Sequence, residues 1–325
     1  MAPPSEMNEI DTNIKWINAY RLYDWSKFDP EKHMINKIQH LYDIFCSKNG
    51  LYSTIKQYEA KMKKNRKNIP IPSQNYIPET YLLNLKSKEF SNQEKLFLLS
   101  DPKKGPMLLK TCHGNQGRGI ELIHDIQQYK EEFKKQKKFL EEEDEEQNDK
   151  KNNFYSKFKE THVIQRCIEP ALINGHKFDV RVFILIANVK PLVVLYHPGY
   201  CRQAIFPYKK ISDNSDISKI AHLTNQGIQK THPDYQKLRE NTILPWNKVE
   251  AILQNQGRSI EDIQEMHEKT KKVIRHILLL GIKRVSQKKG QFELLGGDVI
   301  YDKNLNPYIL ELNSNPSLTI GINIS

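Results

Sequence analysis

Residues 292–313 read FELLGGDVIYDKNLNPYILELN, two apolar runs typical of strands on either side of a polar segment. The Asp, Asn and Pro residues of 302–307 favour a turn, so the two runs are expected to pair as an antiparallel hairpin. If the hairpin closes symmetrically around Asn304 and Leu305, Asp298 lies directly opposite Glu311, with Cβ atoms roughly 4.5–5.5 Å apart. Asn313 shares the face of Glu311, because side chains two residues apart point the same way.

This polar end of the hairpin carries two like charges, which repel unless another group compensates them. Oxygen atoms of Asp, Glu and Asn suit Mg²⁺ that is held together with substrate phosphates. A solvated hairpin end is the alternative, but both flanks are strongly apolar. The sequence therefore predicts a Mg²⁺ site formed by Asp298, Glu311 and Asn313, with Mn²⁺ as an alternative ion.

A second charged pattern lies at residues 177–183, which read KFDVRVF. Strand alternation places Lys177, Asp179 and Arg181 on one face and the apolar residues on the other. Lys and Arg can neutralise phosphate oxygens, and Asp can orient a Lys, a ribose hydroxyl or an amine. An exposed edge strand would show a similar pattern, so this alternative stays open.

Two further segments are weak signals when taken alone. Lys110 precedes the Gly-rich run GNQGRG at 114–119, whose backbone N–H groups could surround phosphates. The run lacks the ending of a P-loop, and such loops are usually only turns. Residues 163–168, VIQRCI, form a strand with a polar interruption that could present backbone groups to an adenine edge.

The organisation of the chain indicates an α+β fold. Several strand-like runs are joined by short polar connections, which favours antiparallel hairpins. Residues 262–285 show the apolar spacing of an amphipathic helix. The acidic residues around 141–153 predict a disordered insertion, because that segment cannot bury enough apolar surface. The 325 residues suffice for one large domain or two to three interlocked smaller ones.

Charge and cysteine content limit the class of protein. The net charge is +11, and the rest of the chain carries +18 once the seven acidic residues of 141–149 are set aside. Such a surface attracts polyanions, namely nucleic acid, anionic membrane, phosphates or acidic protein, although a Lys-rich surface without a partner gives the same composition. Four dispersed cysteines, a polar N-terminus and short apolar runs predict a reducing, cytoplasmic location without a membrane span.

Three segments occur in the order found in the tubulin tyrosine ligase-like family: KFDVR at 177–181, HLTN at 222–225, and GD at 297–298 followed by ELNSNPS at 311–317. The resemblance runs from about 16 to 320, expected to form one catalytic domain, and looks closest to the polyglycylase branch. It implies an ATP-grasp-like fold, with ATP sandwiched between two α+β subdomains beside a smaller N-terminal subdomain. The predicted divisions are 1–100, 101–168 and 169–325.

The resemblance also implies a role for individual residues. Arg181, Arg202 and Asn225 match catalytic positions, and Asp298, Glu311 and Asn313 match the Mg²⁺ ligands. Two departures are Thr111, where proline is usual, and Arg166-Cys167, where Lys-Tyr is usual. The positions implied to bind ATP are Lys48, Lys110, Gln116, Gly117, Arg118, Gly119, Ile120, Gln165, Arg166, Cys167, Ile168, Lys177 and Asp179.

The implied reaction is ATP-dependent ligation through an acyl-phosphate, with glycine as the first choice of amino acid and glutamate as the second. The implied partners are tubulin or microtubules, bound through their acidic tails, and a free amino acid. The chain is expected to be a monomer at the cytoskeleton or in cilia, with no membrane partner. An inactive tubulin-tail-binding relative and a nucleic-acid-binding protein remain the alternatives.

Overall fold

The computed structural model describes residues 13–18, 23–84, 87, 89–111, 119–142, 161–209 and 220–318. Two antiparallel sheets, one of four strands and one of six, dominate this part of the chain, and helices pack against both. The predicted α+β class is confirmed. Residues 143–153 of the predicted acidic insertion lie outside the described residues.

The secondary structure elements are numbered in chain order. The strands are β1 (Ile14–Lys15), β2 (Met34–Ile35), β3 (Thr80–Asn84), β4 (Met107–Thr111), β5 (Ile120–Ile123), β6 (Thr161–Arg166), β7 (Leu172–Ile173), β8 (His176–Asn188), β9 (Val193–Gln203), β10 (Ile243–Leu244), β11 (Glu293–Tyr301) and β12 (Pro307–Ser314). The α-helices are α1 (Lys48–Lys64), α2 (Asn92–Leu99), α3 (Ile126–Glu142), α4 (Gln226–Gln229), α5 (Tyr235–Leu238), α6 (Trp246–Asn255) and α7 (Ile260–Gly281). A π-helical turn (Tyr42–Cys46) precedes α1, and 3₁₀ turns occur at Trp25–Lys27, Ser73–Asn75, Pro102–Lys104, Arg239–Asn241 and Ile282–Arg284.

The four-stranded sheet has the order β3-β6-β4-β5, and all its pairings are antiparallel. Helices α2 and α3 cover it through a core that includes Leu83, Phe97, Met107, Phe133 and Ile164. Residues 80–99 thus pack with the strands that follow them in sequence. The division predicted at residue 100 therefore crosses a continuous core.

One buried ion pair ties α2, α3 and the end of β3 together. Lys137 Nζ lies 3.0 Å from Glu94 Oε1 and donates to the carbonyls of Asn84 and Ser87, each at 2.6 Å. Glu94 also accepts hydrogen bonds from the backbone N–H groups of Asn84 and Ser91. A buried pair with several such partners is costly to break, because removal of one side strands a charge.

The six-stranded sheet has the order β10-β9-β8-β11-β12, with β7 also paired to β8. Phe178 and Val180 are 1% and 0% exposed in the main core, whereas Lys177, Asp179 and Arg181 lie on the opposite face of β8. The predicted alternation is confirmed. Because β8 lies between β9 and β11, the edge-strand alternative is wrong.

The hairpin of β11 and β12 has the register that the sequence predicts at its polar end, since Asp298 pairs with Glu311. The predicted symmetric closure is nevertheless wrong. Val299 pairs with Ile309, which leaves Leu310 as an extra residue in a β-bulge and centres the turn on Asn304. The bulge shifts the strand register by one residue and so restores the expected pairing of the two carboxylates.

The N-terminal segment and helix α7 complete the main core. Ile38, Leu41 and Phe45 are fully buried there. The predicted helix at 262–285 is observed as α7, and its predicted apolar face is buried. It ends earlier than predicted because a 3₁₀ turn begins at Ile282. Among the described helices, none is both long and apolar enough to cross a bilayer.

The first turn of α7 is closed by a capping box. Ser259 Oγ accepts from the backbone N–H of Asp262 at 3.1 Å, and Asp262 Oδ2 accepts from that of Ser259 at 3.0 Å. We expect Ser259→Ala to lower the free energy of unfolding by about 1 kcal/mol in urea titrations, because one helix-end donor loses its acceptor. Gln264→Ala, an exposed change on the same helix, should stay within about 0.5 kcal/mol of wild type. Equal losses in both variants would contradict the role of the cap.

Candidate active site

Charged side chains from both sheets meet in a cleft between them. The cavity in this cleft is lined by Lys48 from α1, by Lys110 and Gln165 from the four-stranded sheet, and by Glu311 from β12. Lys48 Nζ donates to the carbonyl of Thr111 at 2.7 Å, which links α1 to the end of β4. Three distant parts of the sequence thus enclose one cavity.

Asp298 pairs with Glu311 across the hairpin and is held by two arginines. Arg181 Nε lies 2.5 Å from Oδ1, and Arg181 Nη2 donates to Oδ2 at 3.1 Å. Arg202 Nη2 is 3.1 Å from the same Oδ2. Burial alone would raise the pKa of Asp298, but the two guanidinium groups outweigh it and lower the pKa to about 2. Asp298 is therefore an ionised carboxylate.

Glu311 faces Asp298 across the hairpin and carries the less compensated charge. Burial, followed by the charge of Asp298, raises the pKa of Glu311, and Lys110 offsets only part of that effect. Asn313 Nδ2 connects the two carboxylates, lying 3.3 Å from Glu311 Oε1 and 3.4 Å from Asp298 Oδ2. The three side chains that the sequence singles out therefore meet at one point.

The donor set at this point fits Mg²⁺. Two carboxylates supply oxygen atoms, and the amide of Asn313 carries an oxygen as well as the NH₂ group. Within the described ranges, no cluster of three or more His, Cys, Asp and Glu side chains could hold a metal ion. Mg²⁺ suits such a sparse set, since it usually takes one or two carboxylates and completes its shell with phosphates and water.

A second network fixes Arg202 from the other side. Its Nε and Nη2 atoms each lie 2.7 Å from an oxygen of Asp179, its cross-strand partner. Thr224 Oγ1 donates to the same carboxylate at 2.8 Å. Both oxygens of Asp179 are thus engaged, and its observed role is to orient Arg202. Thr224 received no role from the sequence, although the polar run HLTN at 222–225 marks its position.

Two buried lysines approach the cleft from opposite sheets. Lys110 Nζ donates to Gln165 Oε1 at 2.7 Å, and Gln165 Nε2 donates to Thr80 Oγ1 at 3.0 Å. Lys177 Nζ donates to the carbonyl of His222 at 2.7 Å. Burial lowers the pKa of both lysines. An ammonium group has three N–H donors, so each lysine retains the capacity to bind an oxygen anion.

Arg166 does not join this cluster, although the sequence groups it with Gln165. Its guanidinium donates to the carbonyls of Gly105 and Asp101, at 2.6 and 3.0 Å, and lies 3.3 Å from Glu79 Oε1. Strand alternation explains the difference, because neighbouring residues of β6 point to opposite faces. Arg166 therefore clamps the end of β6 to the surrounding turns.

Five further residues of the predicted site are described by the structure. Cys167 and Ile168 follow β6, and the backbone N–H of Cys167 donates to the carbonyl of Pro106. Gly119 has a φ of +71° and its carbonyl accepts from the N–H of Thr111, while Ile120 begins β5. Asn225 directly precedes α4. Gln116, Gly117 and Arg118 lie outside the described residues.

Comparison with known proteins identifies the family. The sequence profile of the tubulin-tyrosine ligase family matches residues 28–324, nearly the whole chain. The chain belongs to the tubulin-tyrosine ligase family. The family resemblance inferred from the segments at 177–181, 222–225 and 297–317 is thereby confirmed.

Relatives within the tubulin-tyrosine ligase family carry different names. Mus musculus protein polyglycylase TTLL10 is 26% identical over 320 residues, which cover 95% of this chain and 43% of that protein. Homo sapiens inactive polyglycylase TTLL10 is 30% identical over 346 residues, 95% of this chain and 49% of that protein. Tetrahymena thermophila probable alpha-tubulin polyglutamylase Ttll1 is 26% identical over 343 residues, 97% of this chain and 75% of that protein. This chain spans less than half the length of the two TTLL10 proteins.

Proposed function

We propose that the chain is an ATP- and Mg²⁺-dependent ligase that adds amino acids, glycine above all, to glutamate carboxylates of tubulin tails. The observation that carries this proposal is the carboxylate pair Asp298 and Glu311, joined by Asn313. Glu311 and Lys110 line the same cleft, and Asp298 contacts Arg202, which Asp179 orients. Phosphoryl transfer requires carboxylates that bind a metal ion, next to positively charged side chains that bind the phosphates.

The nucleotide in this proposal lies between the two sheets, in an ATP-grasp-like arrangement. Lys48, Lys110 and Lys177 bind phosphate oxygens, together with residues 116–120, and the backbone of residues 165–168 contacts the adenine. Mg²⁺, with Mn²⁺ as an alternative, supplies neutralisation of phosphate charge when bound. Because Asp179 already holds Arg202, its contribution to the nucleotide site is to orient that guanidinium.

The reaction proceeds in two steps. The γ-phosphoryl group of ATP is transferred to an acceptor carboxylate, which forms an acyl-phosphate and releases ADP. The amine of a free amino acid then attacks the acyl carbon, forms an amide bond and displaces phosphate. In this proposal Arg181, Arg202 and Asn225 stabilise charge on the transferring group and on the acyl-phosphate.

The acceptor in this proposal is an acidic tail, and the surface charge supports that choice. The whole chain carries +11, and Lys61, Lys63 and Lys64 are exposed at the end of α1. Positive surface charge accelerates association with an acidic partner and favours its selection. The corresponding location is the cytoskeleton, including cilia.

Three alternatives to this proposal differ in the observations that support them. A polyglutamylase of the same family is supported by the name of the Tetrahymena relative. An inactive tail-binding protein is suggested by the name of the human relative, but the paired carboxylates and Asn313 support an intact cation site in this chain. A nucleic-acid-binding role rests on basic charge alone.

The decisive assay uses the purified chain with ATP, Mg²⁺, microtubules and either labelled glycine or labelled glutamate. We expect glycine to be incorporated into tubulin, and incorporation to be lost when Mg²⁺ is chelated. Incorporation of glutamate alone would favour the polyglutamylase. Normal ATP binding without incorporation of any amino acid would contradict ligase activity, and salt-sensitive binding to mixed oligonucleotides would then favour the nucleic-acid alternative.

A further inference from the structure

Lys37 joins the two ends of the hairpin that carries the proposed cation site. Its Nζ lies 3.3 Å from Glu293 Oε1 and donates to Asn315 Oδ1 at 2.6 Å. Glu293 is the first residue of β11, and Asn315 directly follows β12. Lys37 and Glu293 are only 2% and 1% exposed, although 256 residues separate them in sequence. The contact therefore fixes the N-terminal segment and both ends of the hairpin relative to one another.

The Glu293 side of this contact is rigidly held. Its second oxygen, Oε2, accepts from the backbone N–H of Ile38 at 3.0 Å, and its backbone pairs with Ile186 of the central strand β8. A buried ion pair keeps a defined geometry when additional hydrogen bonds satisfy its remaining atoms. Lys37 therefore has a defined position, and its hydrogen bond to Asn315 can restrain the chain after β12.

Asn315 combines a left-handed backbone conformation with a side chain that is hydrogen-bonded through both its oxygen and its nitrogen. Asn315 has a φ of +56°, in the left-handed region where Gly is the least strained residue and Asn is tolerated. Its Oδ1 accepts from Lys37, and its Nδ2 donates to the carbonyl of Asn18. Gly would suit the backbone equally well, so the two side-chain bonds are what Asn adds at this position.

Asn315 lies two residues after Asn313, whose amide contacts both Glu311 and Asp298. We propose that Lys37 and Asn315 are positioning residues for the cation site. They hold the backbone after β12 so that the Asn313 amide stays against the two carboxylates. Both act through the backbone of residues 313–315, and the inference rests on the proposed Mg²⁺ site.

Asn315→Gly tests this role, because it removes both side-chain bonds while the left-handed backbone stays accessible. We expect the affinity for Mn²⁺, measured from the EPR signal of free Mn²⁺ in the presence of a non-hydrolysable ATP analogue, to fall about tenfold. That scale is typical when a group that orients a metal ligand is lost. The thermal midpoint and the metal-free affinity for the analogue should stay near wild type. Asn174→Gly, at an exposed left-handed Asn in the β7–β8 turn, is the matched control and should leave Mn²⁺ affinity unchanged.

A second variant removes the contact from its other end. Lys37→Met combined with Glu293→Gln deletes the ion pair without stranding a buried charge, and it should weaken Mn²⁺ binding to the same extent. Unchanged Mn²⁺ affinity in both variants would overturn the positioning role alone. The positioning role would also be overturned if the metal-free affinity for the ATP analogue fell as much as the Mn²⁺ affinity. The variants would then have disturbed the whole nucleotide site rather than the cation ligands. Failure of the wild-type chain to bind Mn²⁺ would overturn both this inference and the proposed Mg²⁺ site.

Discussion

Glu311→Gln is expected to slow amino-acid ligation about 10³-fold while ATP binding without Mg²⁺ stays within about twofold of wild type. Charge stabilisation by a metal ion is worth several kcal/mol, and about 1.4 kcal/mol corresponds to a factor of ten. Glutamine keeps the volume of the side chain and can still interact with Asn313, but it removes the negative charge. Labelled amino-acid incorporation measures the rate, and calorimetric titration with and without Mg²⁺ measures nucleotide affinity.

Glu311 is the more sensitive of the two carboxylates for a reason visible in the structure. The charge of Asp298 is already offset by the guanidinium groups of Arg181 and Arg202, whereas burial and the charge of Asp298 raise the pKa of Glu311. The net negative charge available to a cation therefore comes mainly from Glu311. Glu261→Gln, an exposed change in the first turn of α7, serves as control and should keep full activity. Undiminished ligation by Glu311→Gln, with an unaltered Mg²⁺ dependence, would remove Glu311 from the cation site.

The sequence predicts the parts of this site that depend on local periodicity. The charged face of β8 follows from strict alternation at 177–183, because a strand with one buried face tolerates no slip in register. The pairing of Asp298 with Glu311 was also predicted correctly, but only because two departures from the expected hairpin cancel each other. The turn is centred half a residue earlier than expected, and the bulge at Leu310 restores the pairing. Bulges leave no periodic signal in the sequence, so their positions are hard to anticipate.

Contacts between distant segments could not be predicted from the sequence. Gln165 bonds Thr80 across 85 residues, and Lys37 meets Glu293 across 256 residues. No spacing rule connects such pairs, because their proximity results from the packing of whole elements. The side-chain partners of Arg166 were not predictable either. It is next to Gln165 in sequence, but its guanidinium contacts the turns at Asp101 and Gly105, because neighbouring residues of a strand point to opposite faces.

Arg202→Met is expected to lower the free energy of unfolding by about 3–5 kcal/mol and to abolish ligation. The guanidinium is buried and lies between two carboxylates, Asp179 and Asp298, at distances of 2.7 to 3.1 Å. Removal of one partner of a buried ion pair is strongly destabilising, since the remaining charge lies in a poorly solvated place without compensation. Urea unfolding measures the loss of stability, and nucleotide titration of the folded variant shows whether the cleft persists.

We expect the loss of stability in Arg202→Met to come from the buried charge left without a partner, rather than from lost packing. Two further variants distinguish these two causes. Asp298 keeps its ion pair with Arg181, so Asp179 is the carboxylate that loses its partner in Arg202→Met. Asp179→Asn in the Arg202→Met background removes that charge and should recover about 1–2 kcal/mol, within the usual range for coupled neighbours. Arg202→Lys keeps the charge without the planar fork that binds Asp179 through two nitrogens. It should therefore lose less stability than Arg202→Met while ligation still falls. If Arg202→Lys and Arg202→Met lose equal stability, and Asp179→Asn recovers none of it, uncompensated charge is not the cause.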